Sequence, residues 1–320
     1  MVLETTTIGS FPKPQYIVKA RAKFAKGEIS LEGLKALERK ATEEVIRTQE
    51  ELGLDILVDG EIYRGDMATF FAERMDGFTI SGLVRSYGNR YYRKPIVKGP
   101  VRRKGPMTVE WFLYAQGLTR KPVKGMLTGP YTMTDWSFNE HYPFRRDLVL
   151  DFAREIHEEA LDLEKAGARY IQIDEPAVST RPEEIALAIE GLGIATEGLR
   201  AKTITHICYG DFEDVYSRLL DLPVDQIALE MSNSSYDLLR LMKKIPFTKE
   251  LGLGVLDVHS HVIEKKEKVK EGIRRALEVI PPERIVVNPD CGLKTRTEEE
   301  AYQKLKVMVE AVKEIREELN

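Results

Sequence analysis

Short β-branched or apolar runs recur along the chain, and each closes in a polar or glycine-containing turn. A longer stretch with apolar residues at helical spacing follows each one. That alternation predicts an α/β fold. The runs end at Ile8-Gly9-Ser10, Asp59-Gly60-Glu61, Thr128-Gly129-Pro130, Asp174-Glu175-Pro176, His206-Ile207-Cys208, Leu229-Glu230-Met231, Asp257-Val258-His259 and Asn288-Pro289-Asp290-Cys291. They are about eight in number, as a single closed (β/α)8 TIM-type barrel requires.

The helices between them are easier to read. Residues 30–52 open at Ser30 and set Leu34, Leu37, Ala41, Val45 and Leu52 on one face. The last helix sets Ala301, Leu305, Met308, Val312, Ile315 and Leu319 on another, and Thr297 with Glu300 makes a capping box at its start. The charged opposite faces read as solvated surface.

One stretch breaks the alternation. Ile62 to Pro122, between the second and third strands, holds a helix around Asp66 to Met75 and then the aromatic, basic segment Ser86-Tyr87-Gly88-Asn89-Arg90-Tyr91-Tyr92-Arg93. It reads as a compact insertion, either a lid or a pairing surface. With no Gly/Ser-rich linker and no repeat, residues 1–320 are expected to form one domain.

Composition narrows the partners. Of 320 residues 31 % are charged, yet 48 basic against 52 acidic side chains leave a net charge of only −4. No global field therefore favours nucleic acid or an anionic membrane, and a small-molecule partner is expected. No apolar run approaches the roughly 20 residues of a membrane span, and Met1 to Pro12 lacks the basic start and apolar core of a signal peptide. A cytoplasmic protein is expected. Its two cysteines, Cys208 and Cys291, are too few for a disulfide framework.

In a parallel barrel the carboxyl ends of the strands share one face. There the sequence places Ser10, Glu61, Asp174, His206, Cys208, Glu230, His259 and Cys291. His206 and Cys208, two apart on one strand, project to the same side and could chelate a metal. A closed barrel would bring Cys291 and Glu230 to the same mouth, and two thiolates, an imidazole and a carboxylate suit zinc. The cysteines would equally suit ordinary buried thiols. Asp174 and Glu175 could serve as acid and base, bind an ammonium group, or cap the following helix. His259 and His261 flank Ser260 just past a strand, where an incidental histidine is equally at home. Trp136 could stack on a planar ligand or pack within its loop.

These residues, in their order and context, resemble the catalytic C-terminal barrel of the cobalamin-independent methionine synthases. The likeness runs from Thr5-Thr6-Thr7-Ile8-Gly9-Ser10-Phe11-Pro12, through Asp59-Gly60-Glu61 with Arg64 to Met67, Ser86-Tyr87-Gly88 and Ile173-Asp174-Glu175-Pro176. It continues in Thr205-His206-Ile207-Cys208-Tyr209, Glu230-Met231-Ser232, Asp257-Val258-His259-Ser260 and Asn288-Pro289-Asp290-Cys291-Gly292-Leu293-Lys294. The resemblance implies a methionine synthase in which His206, Cys208, Glu230 and Cys291 hold Zn2+. It further implies that Asp174 and Glu61 bind the ammonium of L-homocysteine, the Ile8-Gly9-Ser10 turn takes its carboxylate, and His259 manages a proton at the methyl donor.

The donor is where the chain departs from the long members of the family, which carry an additional N-terminal barrel that contributes to folate binding. After Arg90 the chain reads Tyr-Tyr-Arg where those enzymes have a cysteine. Short single-barrel members resemble archaeal proteins that use a methylated corrinoid. A methylated corrinoid, methylcobalamin or a corrinoid protein, is therefore expected ahead of 5-methyltetrahydrofolate, with the insertion as its docking surface. The alternative is a zinc-dependent alkyltransferase acting on another thiol such as coenzyme M, which has no use for the Asp174 and Glu61 pair. A non-catalytic zinc-holding protein would have no use for His259, and a decarboxylase related to the tetrapyrrole barrels would have no use for the two thiols.

Overall fold

The expected helix forms over Leu31–Leu52, with the Ser30 hydroxyl accepting from the Gly33 N–H and Gly53 closing it in the left-handed conformation at φ 86°. The structure, a computed structural model, describes residues 2–85, 91–208 and 215–319. It divides into two compact units, one of Met1–Tyr63, Trp111–Lys124 and Ala228–Asn320 and the other of Arg64–Glu110 and Gly125–Ile227.

In the first unit the 31–52 helix buries Leu34, Ala41, Val45 and Ile46. Glu38 is buried where the periodicity favours Leu37, because Arg21 Nη2 reaches its Oε1 at 3.0 Å. The C-terminal helix Glu298–Leu319 begins at the expected capping box: the Glu300 N–H donates to Thr297 Oγ1 at 3.1 Å, and the Thr297 N–H to Glu300 Oε2 at 2.9 Å.

The strand Glu250–Gly254 pairs in parallel with Ile285–Asn288, in the register Leu251 to Ile285 and Gly254 to Asn288. The first two expected strands are reduced to single bridges, Thr5 with Val287 and Leu57 with Val123. Side chains occupy the main-chain groups a longer ladder would use. Asp55 Oδ2 accepts from Thr5 N at 2.8 Å, and the Gln49 amide brackets Val58, accepting from its N–H at 3.0 Å and donating to its carbonyl at 2.8 Å.

The second unit holds the parallel strands Gly125–Thr128, Tyr170–Asp174 and Lys202–Ile207, with Thr128 opposite Asp174 and Gln172 opposite Ile204. Helices Arg145–Lys165 and Ile185–Ala195 alternate with these strands. All three strands end where expected, as does Gln226–Leu229. The parallel α/β succession is of the TIM-barrel type.

The expected insertion is more ordered than its sequence suggests. Met75–Arg85 and Tyr91–Arg103 form an antiparallel pair, and the second pairs in parallel with Phe138–Asn139. The helix expected around Asp66 to Met75 is only Thr69–Ala72, because the chain turns into strand at Met75. Arg103 ties the base of the pair to the 145–165 helix, with Nη1 2.9 Å from Glu159 Oε2 and Nη2 2.6 Å from Asp162 Oδ2. The segment Ser86–Arg90 lies outside the described residues, as does Tyr209.

Among the described residues no helix is long and apolar enough to cross a membrane.

Candidate active site

In the first unit, three turns that carry expected site residues are laced together through the main chain. The Phe11 N–H donates to the Gly60 carbonyl at 3.0 Å, joining the Ile8-Gly9-Ser10 turn to the one that presents Glu61. The Leu293 N–H donates to the Ser10 carbonyl at 2.7 Å, joining the same turn to the one that presents Cys291. Gly292 fits closely against this turn, since a β-carbon there would lie 2.1 Å from Ser10 Oγ and would make that hydroxyl rotate away. Glu61 adopts φ 54°, which a side chain rarely takes, and the Asp59 carboxylate accepts its N–H at 2.8 Å.

The same unit brings together Glu230 and His259, one expected as a metal ligand and the other as a catalytic group. His259 Nε2 lies 2.6 Å from Glu230 Oε1, and Asn233 Nδ2 donates to the same oxygen at 3.3 Å. The hydrogen bond to Glu230 raises the His259 pKa above its ordinary 6.5 despite partial burial, with further support from the charges of Glu230, Cys291 and Asp257.

Asp290, beside Cys291, organises this region and was not singled out from the sequence. It is fully buried and accepts the N–H groups of Met231, Ser232 and Asn233 at 3.0, 2.9 and 2.8 Å, fixing the turn that follows Glu230. Burial pushes its carboxyl up to about 7 against the pull of those N–H groups. Gly254 leaves room for it, because a β-carbon there would lie 2.3 Å from Asp290 Oδ1.

In the second unit, His206 and Cys208 sit at the carboxyl end of Lys202–Ile207, and both are 3 % exposed. Their carbonyls are fastened from neighbouring turns: the Glu175 N–H donates to His206 O at 3.0 Å, and Ser179 Oγ to Cys208 O at 2.6 Å. Asp174 ends its strand with Oδ1 accepting from Gln172 Nε2 at 2.7 Å. Gln172 was also missed in the sequence, although the strand alternation that puts it on the same face as Asp174 was readable there.

Of the adjacent carboxylates, Glu175 is the structural one. Fully buried, it accepts the N–H groups of Tyr131 and Thr132 at 3.0 and 2.7 Å. It thus caps the short helix Pro130–Asp135, which precedes it in the chain, and not the following helix for which the sequence left a capping role open. Burial pushes its carboxyl up to about 7, opposed by hydrogen bonds from Thr132 and Tyr131. Trp136 ends that same short helix.

Comparison with known proteins adds the family context. The model of the family described as "Cobalamin-independent synthase, Catalytic domain" matches residues 3–314. A protein named methionine synthase from Saccharolobus solfataricus is 43 % identical over 319 residues, spanning 99 % of this chain and 96 % of its own length. The 5-methyltetrahydropteroyltriglutamate–homocysteine methyltransferase of Thermotoga petrophila is 42 % identical over 99 % of this chain, which covers 45 % of that longer protein. Among solved structures, a B12-independent methionine synthase from Shewanella sp. W3-18-1, in complex with selenomethionine, superposes with a TM-score of 0.90 at 29 % identity, covering 100 % of this chain and 99 % of that one.

Proposed function

Because the chain belongs to the cobalamin-independent methionine synthase family, in its catalytic domain, we propose that it transfers a methyl group to the thiol of L-homocysteine in a zinc-dependent reaction that yields methionine. The observation that carries this reading is the match of residues 3–314 to the catalytic domain.

In this reading His206, Cys208 and Cys291 are metal ligands, offering one imidazole nitrogen and two sulfurs. That donor set fits zinc, and Glu230 is the fourth ligand in this reading. Zinc, when bound, supplies a thiolate from a substrate thiol that is only a few per cent ionised near neutral pH.

The remaining groups bind and orient. Asp174 and Glu61 take the ammonium, so that a thiol lacking it would leave their charges uncompensated. The Ile8-Gly9-Ser10 turn takes the carboxylate. As the new S–CH3 bond forms, the bond from the methyl to its donor breaks, and His259, oriented by Glu230, delivers a proton to the leaving atom. A nitrogen leaving group requires that proton.

For the donor, we place a methylated folate ahead of the corrinoid expected from the sequence. The Thermotoga relative carries 5-methyltetrahydropteroyltriglutamate in its name, and the Shewanella relative is described as B12-independent.

The test measures zinc content and methionine formation from homocysteine, with 5-methyltetrahydropteroyltriglutamate and methylcobalamin supplied side by side. Cys208→Ser and Asp174→Asn serve as controls. One zinc per chain, folate-dependent turnover and its loss in both variants support the reading. Turnover with methylcobalamin alone overturns the donor. Zinc binding with no response to homocysteine but methylation of coenzyme M replaces the substrate with that thiol.

A further inference from the structure

Lys304 lies on the C-terminal helix, one turn beyond the Glu300 of its capping box. Its side chain is 0 % exposed, an unusual place for an amine unless its donors are all met. They are met by one loop. Nζ donates to the Asp257 carbonyl at 3.0 Å, to the Val262 carbonyl at 2.6 Å, and to both carboxylate oxygens of Glu264 at 2.9 Å. Glu264 Oε1 in turn accepts the Asp257 N–H at 2.9 Å. The Asp257 residue is thereby held at both its carbonyl and its N–H.

From there a chain of hydrogen bonds runs to His259. Asp257 Oδ1 accepts the His259 N–H at 2.8 Å, and His259 Nε2 meets Glu230 Oε1 at 2.6 Å. The same helix touches the loop once more, one turn earlier, through Glu300 Oε1 and His261 Nδ1 at 2.8 Å. Residues 259, 261 and 262 are exposed, so little packing from above holds the loop in shape. Its anchors are the buried Val258 side chain and the polar plug beneath.

We propose that Lys304, with Glu264, is a positioning residue that sets the conformation of the 257–264 loop and so presents His259 to Glu230. An apolar side chain could fill the same space, at the cost of leaving the Glu264 carboxylate buried without its cation. It could not bind two carbonyls and a carboxylate at once. The role assigned to His259 rests on the functional reading above, whereas the loop anchor rests on the hydrogen bonds alone.

The experiment compares Lys304→Met, Glu264→Gln, His259→Asn and the double variant Lys304→Met/His259→Asn in the zinc-loaded protein. Amide hydrogen exchange is followed over residues 257–264 alongside kcat and KM for homocysteine. The proposal expects faster exchange confined to that loop in Lys304→Met. It expects kcat lower by about 10- to 100-fold with KM changed less than about twofold, since a displaced catalytic group affects the reacting state more than substrate binding. Glu264→Gln, which keeps one oxygen acceptor, should lose less. The double variant should be no slower than His259→Asn alone, because both changes act through one group. Additive losses, or loop exchange equal to that of the unaltered protein, would overturn the proposal. Should Lys304→Met not fold, Glu264→Gln carries the same exchange and double-variant comparisons. If His259→Asn turns over normally, the role of His259 fails, and unchanged exchange is what then overturns the anchor.

Discussion

Gly129 lies directly beneath the carboxyl group of Glu175, so that a β-carbon on Gly129 would sit 2.1 Å from Glu175 Cδ. Glu175 cannot swing aside, because it is fully buried and accepts the N–H groups of Tyr131 and Thr132. Gly129→Ala is therefore expected to destabilise the protein by about 3 kcal/mol through overpacking, read as a lower urea midpoint. An unchanged midpoint would show that the turn can relax at little cost.

Asp290 plays the corresponding part for the turn after Glu230. Asp290→Ala strands the Met231, Ser232 and Asn233 N–H groups. The loss should be about 2–4 kcal/mol for buried donors left without an acceptor, with turnover falling as Glu230 is released. Asp290→Asn keeps an acceptor oxygen and should retain part of both. Equal stability of the Ala and Asn variants would argue against this account.

Two cations on the 266–277 helix clamp Glu314 on the C-terminal helix, Lys266 Nζ at 2.5 Å and Lys270 Nζ at 2.6 Å. Their hydrogen bonds lower the Glu314 pKa from 4.5 to about 2, Lys266 contributing first and Lys270 next. The folded-state value lies below the unfolded one, so the stabilisation is present above about pH 4.5 and is lost as pH falls towards 2. Glu314→Gln should flatten the melting-temperature profile across that window. Because Lys266 and Glu314 are partly exposed while Lys270 is buried, roughly 0.5 M salt should produce part of the same flattening in the unaltered protein.

Metal removal gives a prediction with a readout besides turnover. Chelation should abolish methionine formation, and added Zn2+ should restore it. Restoring the metal at ~100 times its dissociation constant should raise folding stability by about 2.7 kcal/mol, measurable as a higher melting temperature. Cys208→Ser and Cys291→Ser should each lose most of that increment. A melting temperature indifferent to zinc in all three proteins would count against the proposed ligands.

The local elements were legible in the sequence because their causes are local. Ser30 and Gly53 bound one helix, and Thr297 with Glu300 starts another. Strand ends at Thr128, Asp174, Ile207, Leu229 and Asn288 follow from apolar runs meeting turns. Chemistry-bearing residues at those ends, His206 and Cys208 above all, were visible for the same reason, and their order identified the family. The Met75–Arg103 strand pair was not legible, since its register depends on cross-strand partners rather than on periodicity.

What the sequence by itself determined was the α/β class, the principal helices and the candidate ligands. Only the tertiary structure decided which polar groups hold the turns of the candidate site in place. Thr5 and Leu57 were read as strands, yet the side chains of Asp55 and Gln49 take their neighbouring main-chain groups and leave single bridges. Glu175 and Asp174 are adjacent and chemically alike, but burial over Gly129 makes one of them a helix cap. Lys304 stands three residues after Ala301 and four before Met308, at the edge of the apolar face, and its amine is buried because a loop some forty residues earlier closes over it. A charged side chain is buried only where distant parts of the chain supply its partners, and no local pattern of hydrophobic and polar residues records that meeting.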